Sequence, residues 1–282
     1  MSEKCKRTIT YLVTLGGDGT ILYAAKQFNG NFIPPMITFA QGSLGFMCNF
    51  TFEDLPLVFR ELFAMGGGAS NKPSDHIGYE KRLRLKVNMG PGVEKMRKIY
   101  RGDQLEHYEE VEVKDLHILN EVVLDRGPSP YSIQLNLSIF DTLLTTAVGD
   151  GIIISTPTGS TAYNLSAGGS IVETTTQCML LTPLAPHSLS FRPLVIPETA
   201  VLTIGKFPDN RNPAYVALDG ANRFVLQDGE NIIVEASKYP LTFVTLKTDN
   251  LTDLWAQRLI KFFGWNTRET NKILTKKEVG SK

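Results

Sequence analysis

A parallel α/β sheet followed by a mostly β half is the fold class this sequence predicts, and two rhythms predict it. Up to about residue 75, short apolar runs, glycine turns and amphipathic stretches alternate as in strand–turn–helix units. Beyond that point, short strand-like segments follow one another with Gly and Pro between them.

Residues 9–15 (ITYLVTL) form an apolar, β-branched run ending in Gly16-Gly17, a buried strand entering a glycine turn. From Thr20 onward, Ile21, Leu22, Ala25 and Phe28 share one helical face. Pro34-Pro35 resets the chain into a strand at 36–39, and a turn at 42–45 follows. Phe52, Leu55, Phe59, Leu62 and Phe63 mark a second amphipathic helix, stopped by three glycines at 66–68. Leu83, Leu85 and Val87 alternate with charged residues, as on a half-exposed strand. Residues 88–115 are rich in Gly and charge with little periodicity, so a surface excursion is expected there. Residues 131–139 alternate cleanly, turn at Asp141-Thr142 and return over 143–148 as a hairpin. Further strands are expected at 152–155, 179–182, 201–204, 214–218, 232–236 and 243–246, and a terminal amphipathic helix at 251–263. The expected division is an α/β domain over 1–75 and a β-rich domain over 76–249, with helix 250–265 packing back on the first.

At 282 residues the chain has room for two domains, and 42% hydrophobic with 21% charged residues is a globular balance. The 29 basic and 29 acidic residues cancel, whereas a polyanion-binding surface needs a basic excess, so nucleic acid is not an expected partner. Cys5, Cys48 and Cys178 lie far apart and fit neither a disulfide framework nor a zinc pattern, which points to a reducing compartment. No apolar run is long enough to cross a bilayer, and residues 1–7 hold no apolar signal core. A cytoplasmic location without membrane contact is therefore expected.

Three segments carry chemistry. Gly16-Gly17-Asp18-Gly19-Thr20 stands between a strand and a helix, where glycines let backbone N–H groups approach a phosphate chain and the helix adds its positive end. A carboxylate beside phosphates repels them unless it binds a metal or takes a proton from an attacking hydroxyl. The bland reading is an Asp that caps the next helix. In 117–124 (HILNEVVL), Asn120 and Glu121 are adjacent polar residues inside an apolar run, suited to ribose hydroxyls and an adenine edge. The third segment runs from Gly149-Asp150-Gly151 through a buried strand into 156–169 (TPTGSTAYNLSAGG), a loop of small hydroxyl residues and glycine in which Tyr163 could stack on a base. A Ser/Thr-rich helix cap is its bland alternative.

The glycine turn resembles the signature shared by NAD kinases, diacylglycerol and sphingosine kinases and, in near form, phosphofructokinases. Residues 156–169 resemble the characteristic segment of the NAD kinase family, and 186–193 (PHSLSFRP) with Leu218-Asp219-Gly220 resemble its later segments, over about 11–265 in all. This resemblance implies ATP-dependent phosphorylation of the adenosine 2′-hydroxyl of NAD, with Mg²⁺ or Mn²⁺ accompanying ATP. It implies Asp18 as general base and Gly16, Gly17, Gly19 and Thr20 around the phosphates. It places Phe46, Asn120, Glu121, Thr161, Ala162, Tyr163, Asn164, Ser166 and Ala185 around NAD. Asp150 would lie near the nicotinamide end, often reached across a subunit interface of a homodimer or homotetramer. Asp219 would lie near the reaction centre, although an Asp-Gly hairpin turn explains it equally well. Family members usually begin with a strand–helix–strand unit ahead of the glycine turn, which here arrives at residue 16. A Rossmann-like parallel sheet missing its first strands is thus expected. A lipid kinase sharing the turn, or a catalytically weak nucleotide-binding regulatory subunit, are the alternatives.

Overall fold

A computed structural model describes residues 8–28, 32–42, 45–63, 76–89, 94–101, 104–112, 115–207, 212–247 and 251–265, with backbone alone over 94–101 and 104–112. The chain divides into two compact units, Met1–Lys247 and Thr248–Lys282.

The first sheet is the α/β part. β1 (Leu12–Leu15) pairs in parallel with β2 (Met36–Ala40), and the two-residue β3 (Phe50–Thr51) extends β2. All five residues of β2 are buried, as for a strand covered on both faces. Helix α1 (Asp18–Lys26) covers one face, where Ile21 and Ala25 pack with Met36 and Phe243. Helix α2 (Leu55–Phe63) covers the other, where Val58 and Leu62 pack with Ile37, Phe39 and Val244. A 3-10 turn (Phe52–Asp54) leads into α2 and begins with a capping box in which Thr51 and Asp54 bond reciprocally.

Two more strands of this sheet come from the stretch assigned by sequence to the β-rich part. β4 (Ile77–Arg82) runs antiparallel to β19 (Leu241–Leu246), and β19 meets β2 in parallel at Phe243. Leu241, Phe243 and Val244 are fully buried, so β19 supplies the apolar surface that covers the inner edge of β2. The sheet is therefore mixed, with β1 at one edge and β4 at the other.

The β-rich part is a sandwich of two six-stranded antiparallel sheets. One runs, in spatial order, through β11 (Thr142–Gly149), β10 (Ile133–Ile139), β15 (Leu202–Lys206), β18 (Asn231–Ala236), β5 (Leu85–Met89) and β8 (Leu116–Ile118). The other runs through β14 (Leu194–Pro197), β13 (Cys178–Leu184), β12 (Gly151–Ser155), β9 (Glu121–Asp125), β16 (Ala214–Leu218) and β17 (Ala221–Leu226). Alternate residues of both sheets, such as Leu135, Leu137, Ile204 and Val234 against Val122, Leu124, Ile152 and Leu181, form one continuous core. A short helix α3 (Tyr163–Ser166) follows β12. In the second unit, α4 (Leu251–Phe263) forms over the expected residues, and Phe263 stacks on Trp265 at 4.9 Å.

Two stretches gain detail that the sequence does not supply. The excursion at 88–115 contains a hairpin, β6 (Glu94–Arg101) and β7 (Gln104–Glu112), whose register sets a Lys/Arg-rich strand opposite a Glu-rich one. The pairing lies between the strands, so periodicity within either one does not reveal it. Within the run 117–124 the chain changes sheets: β8 ends at Ile118 in one sheet and β9 begins at Glu121 in the other. Leu119 and Asn120 form the corner between them.

Candidate functional site

The glycine turn forms as the sequence predicts, at the C-terminal end of β1. Gly16 has φ of +150°, and a Cβ there would collide with the Thr20 hydroxyl. Gly17 precedes α1 in extended conformation, while Gly17, Gly19 and Thr20 are exposed to solvent. Asp18 is the first helical residue, yet its carboxylate makes no helix-capping bond. It turns instead to the loop after β2, where Phe46 N–H donates to Oδ2 and Met47 N–H donates to Oδ1, each at 3.1 Å. The capping explanation of Asp18 therefore fails, and Phe46 is brought to the turn by its backbone.

The Asn120 corner is held from three sides. Asp219, at the turn between β16 and β17, accepts N–H bonds from Leu119 at 2.9 Å, Asn120 at 2.7 Å and Glu121 at 3.1 Å. The loop after β12 binds the same corner, Thr156 N–H donating to the Asn120 carbonyl and the Thr156 hydroxyl to that of Leu119. Gly159 packs so closely that a Cβ would lie 2.6 Å from the Asn120 carbonyl carbon. Leu119 in turn packs with Ile21, Ala25 and Met47, which ties this corner to α1 and the Asp18 loop.

Within this arrangement Asn120 and Glu121 are each 6% exposed, and Asn120 Oδ1, Glu121 Oε2 and Thr158 Oγ1 are buried without a protein partner. Unpaired buried polar atoms are costly. Three of them around one loop suit a polar ligand that completes their bonding. Burial, and then the Asp219 charge, push the Glu121 carboxyl up to about 7. Asp219 keeps some exposure as a residue, but its carboxylate is enclosed; burial pushes its pKa up, against the three N–H donors that pull it down.

Other expected residues fall into two groups. Ala162 and Tyr163 lie at the accessible start of α3 and Ser166 at its exposed end, with Tyr163 46% exposed, and the Thr161 hydroxyl donates back to the Thr158 carbonyl. Asn164 faces inward with 0% exposure: its amide donates to the carbonyls of Ser160 and Ser170 and accepts from Thr182 Oγ1 at 2.6 Å. Asp150 and Ala185 form a separate pair at the far end of β12. Asp150 N–H donates to the Leu184 carbonyl, its carboxylate bonds Arg126 at 2.7 Å, and Ala185 has φ of +41°. Thr156 is six residues of extended chain from Asp150, roughly 20 Å.

A cavity of about 390 Å³ adjoins the glycine turn. Gly19, Tyr23 and Lys26 of α1 form one wall, and Arg84, His117 and Asp219 belong to the other. Arg84 is 2% exposed and burial brings it down to about 10, so it remains a cation at neutral pH. His117 is lowered to about 4 by burial and then by Arg84, so its ring is neutral there; Nδ1 meets Ser237 Oγ at 2.8 Å. Tyr23, Lys26, Arg84 and His117 come from three segments with no shared motif, which is why the sequence did not single them out for this site. Among the described residues no three His, Cys, Asp or Glu side chains gather as a metal site.

The ATP-NAD kinase N-terminal domain model matches residues 1–67, and the ATP-NAD kinase C-terminal domain model matches 119–246. The NAD(+) kinase of Saccharomyces cerevisiae is 39% identical over 272 residues, 94% of this chain and 47% of that protein. NAD kinase 2, chloroplastic, of Arabidopsis thaliana is 38% identical over 267 residues, again 94% of this chain but 25% of its own length. The chain thus spans between a quarter and about half of these relatives. The crystal structure of yeast NADH kinase complexed with NADH superimposes with a TM-score of 0.72 at 33% identity, covering 92% of this chain and 67% of that one. With both domain models matched in order and the glycine turn, the Asn120 corner and the 156–169 loop assembled as described, the chain belongs to the NAD kinase family.

Proposed function

We propose that this chain transfers the γ-phosphoryl group of ATP to the adenosine 2′-hydroxyl of NAD, giving NADP and ADP. The observation that carries the reading is the pair of polar sites joined through Leu119. On one side an accessible glycine turn holds a carboxylate oriented by two N–H bonds. On the other, Asn120, Glu121 and Thr158 present buried polar atoms that lack protein partners. An apolar acceptor, as in a lipid kinase, would leave those atoms unpaired.

In this reading Asn120 and Glu121 hold the adenosine of NAD, and Tyr163 stacks on a ring of the dinucleotide. The triphosphate lies along Gly16, Gly17, Gly19 and Thr20 at the start of α1, with Lys26 and Arg84 offsetting its charge from the adjoining cavity. Asp18 accepts the 2′-hydroxyl proton as that oxygen attacks the γ-phosphorus in line and the bond to the bridging oxygen breaks. Mg²⁺ or Mn²⁺ belongs to the donor's phosphates in this scheme, since the described acidic side chains do not assemble a site of their own. When bound, the cation neutralises charge on the transferring group.

The separation of Asp150 and Ala185 from the Thr156 loop supports a homodimer or homotetramer in which a second copy supplies that pair. Among the described residues no helix is long and apolar enough to cross a membrane. A cytoplasmic setting is the reading that also suits the buried thiols of Cys48 and Cys178.

Incubating the purified chain with ATP, Mg²⁺ and NAD and following NADP with an NADP-specific dehydrogenase tests the proposal. NADP formation that disappears in Asp18→Asn, with NAD binding retained, is the expected result. NAD binding without turnover would favour a regulatory subunit, and no response to NAD would end the reading.

A further inference from the structure

The loop that grips Asp18 is itself held by a side chain that touches neither the turn nor the cavity. Thr38 lies in the middle of β2 with 0% exposure, between Ile37 and Phe39, which are also fully buried. A hydroxyl in such surroundings is unfavourable unless it is bonded. Its hydroxyl oxygen accepts the N–H of Asn49 at 2.9 Å, and its O–H donates to the carbonyl of Met47 at 3.1 Å. Thr38 thus fixes the backbone on both sides of Cys48.

Met47 is where this anchoring reaches Asp18. Its carbonyl is bound by Thr38, and its N–H, with that of Phe46, donates to the Asp18 carboxylate. Two side bonds keep the loop in register: Cys48 Sγ donates to the Gly16 carbonyl at 3.3 Å, and Asn49 Nδ2 donates to the Val244 carbonyl at 2.8 Å. Gly45 completes the grip, because a Cβ there would overlap the Asp18 carboxylate, with Oδ2 at 2.8 Å.

We infer that Thr38 is a positioning residue for phosphoryl transfer, holding loop 45–49 so that the Phe46 and Met47 N–H groups orient the Asp18 carboxylate. The inference rests on Asp18 acting as general base. Its energetic logic is that a reacting group must be held within a fraction of an ångström by groups behind it.

Thr38→Val keeps the shape and removes the hydroxyl, whereas Thr38→Ser keeps the hydroxyl. Steady-state rates with NAD and ATP varied separately should show kcat lowered on the order of 10- to 100-fold in Thr38→Val with KM for NAD little changed. Thr38→Ser should recover most of that loss. Full kcat in folded Thr38→Val, or equal impairment in Thr38→Ser, overturns the inference.

If Thr38→Val does not fold, Gly45→Ala perturbs the same grip where it meets the Asp18 carboxylate and should lower kcat in the same way. Normal turnover in Gly45→Ala would then overturn the inference. An amide NMR readout separates the inference from the proposed reaction. The Met47 and Phe46 N–H resonances should move in both Asp18→Asn and Thr38→Val whether or not NADP is made. Unmoved resonances in Thr38→Val reject the coupling itself, whereas moved resonances with unchanged turnover in Asp18→Asn reject the general-base reading, and the positioning role falls with it.

Discussion

Asp219 holds Asn120 by the backbone: its Oδ1 accepts the Asn120 N–H at 2.7 Å, and the same carboxylate takes the N–H groups of Leu119 and Glu121. A chain crossing from one sheet to the other leaves those donors without a ladder partner, and one side chain supplies the acceptors. Asp219→Ala should therefore cost about 3 kcal/mol, from donors left unsatisfied in a partly enclosed corner. Asp219→Asn keeps one acceptor oxygen and should cost less. Urea unfolding gives the stabilities, and KM for NAD should rise at least about tenfold in the alanine variant if the corner presents Asn120 to the nucleotide. A stable Asp219→Ala with unchanged KM would assign Asp219 to the hairpin turn alone.

Glu121 should make stability depend on pH. Its carboxyl is raised from 4.5 to about 7, by burial first and by the Asp219 charge second. A raised acid pKa means the folded chain binds the proton more tightly than the unfolded one. Stability is then full below about pH 4.5 and falls as pH rises through about 7, by on the order of 3 kcal/mol. Glu121→Gln cannot ionise and should flatten that window. Urea midpoints at pH 5, 6, 7 and 8 for both proteins check the slope, and an identical slope in both would show that Glu121 is not its source.

Why parts of this site could be read in advance and others not follows from where their partners lie. The turn at 16–20 is legible because glycines, strand and helix are contiguous. The residues that grip Asp18 are not, since Phe46 is 28 positions away. Asn120-Glu121 stands out as two polar neighbours in an apolar run, but the corner beneath it depends on Asp219, 99 positions from Asn120. The alternation of Leu83, Leu85 and Val87 and that of 131–148 points to strands of the sandwich, which begin at Leu85 and Ile133, because each buries one face against a single core. β4 (IGYEKR) does not read as a strand because half of it is charged, and β19 escapes assignment to the α/β sheet because it lies far along the chain from β2 and an apolar strand does not name its neighbours.

Asn164 should prove structural in effect. Its side-chain amide bonds internally to Ser160, Ser170 and Thr182, and Gly169 leaves room for it. Asn164→Leu should lower stability by about 3 kcal/mol, because Thr182 and two carbonyls lose partners in a fully buried place. Tyr163→Ala, at an exposed ring, should leave stability within about 0.5 kcal/mol and raise KM for NAD. Thermal melts of both variants beside NAD titrations separate the two roles. Equal loss of melting temperature in both would contradict the assignment.

Asp150 offers a test of assembly that needs no structure of a complex. It lies roughly 20 Å along β12 from the Thr156 loop, so within one chain it cannot reach the nucleotide end that Asn120 holds. If a second copy supplies it, Asp18→Asn and Asp150→Ala should each be inactive alone. Unfolded together and refolded as a mixture, they should regain activity, because a mixed dimer rebuilds one intact site from its two native halves. With random pairing, half the dimers are mixed and each holds one working site of two, giving about a quarter of the native rate. Each variant refolded alone serves as the control. No recovery from a mixture that demonstrably forms mixed dimers would place Asp150 outside any shared site and leave its ion pair with Arg126 as its role.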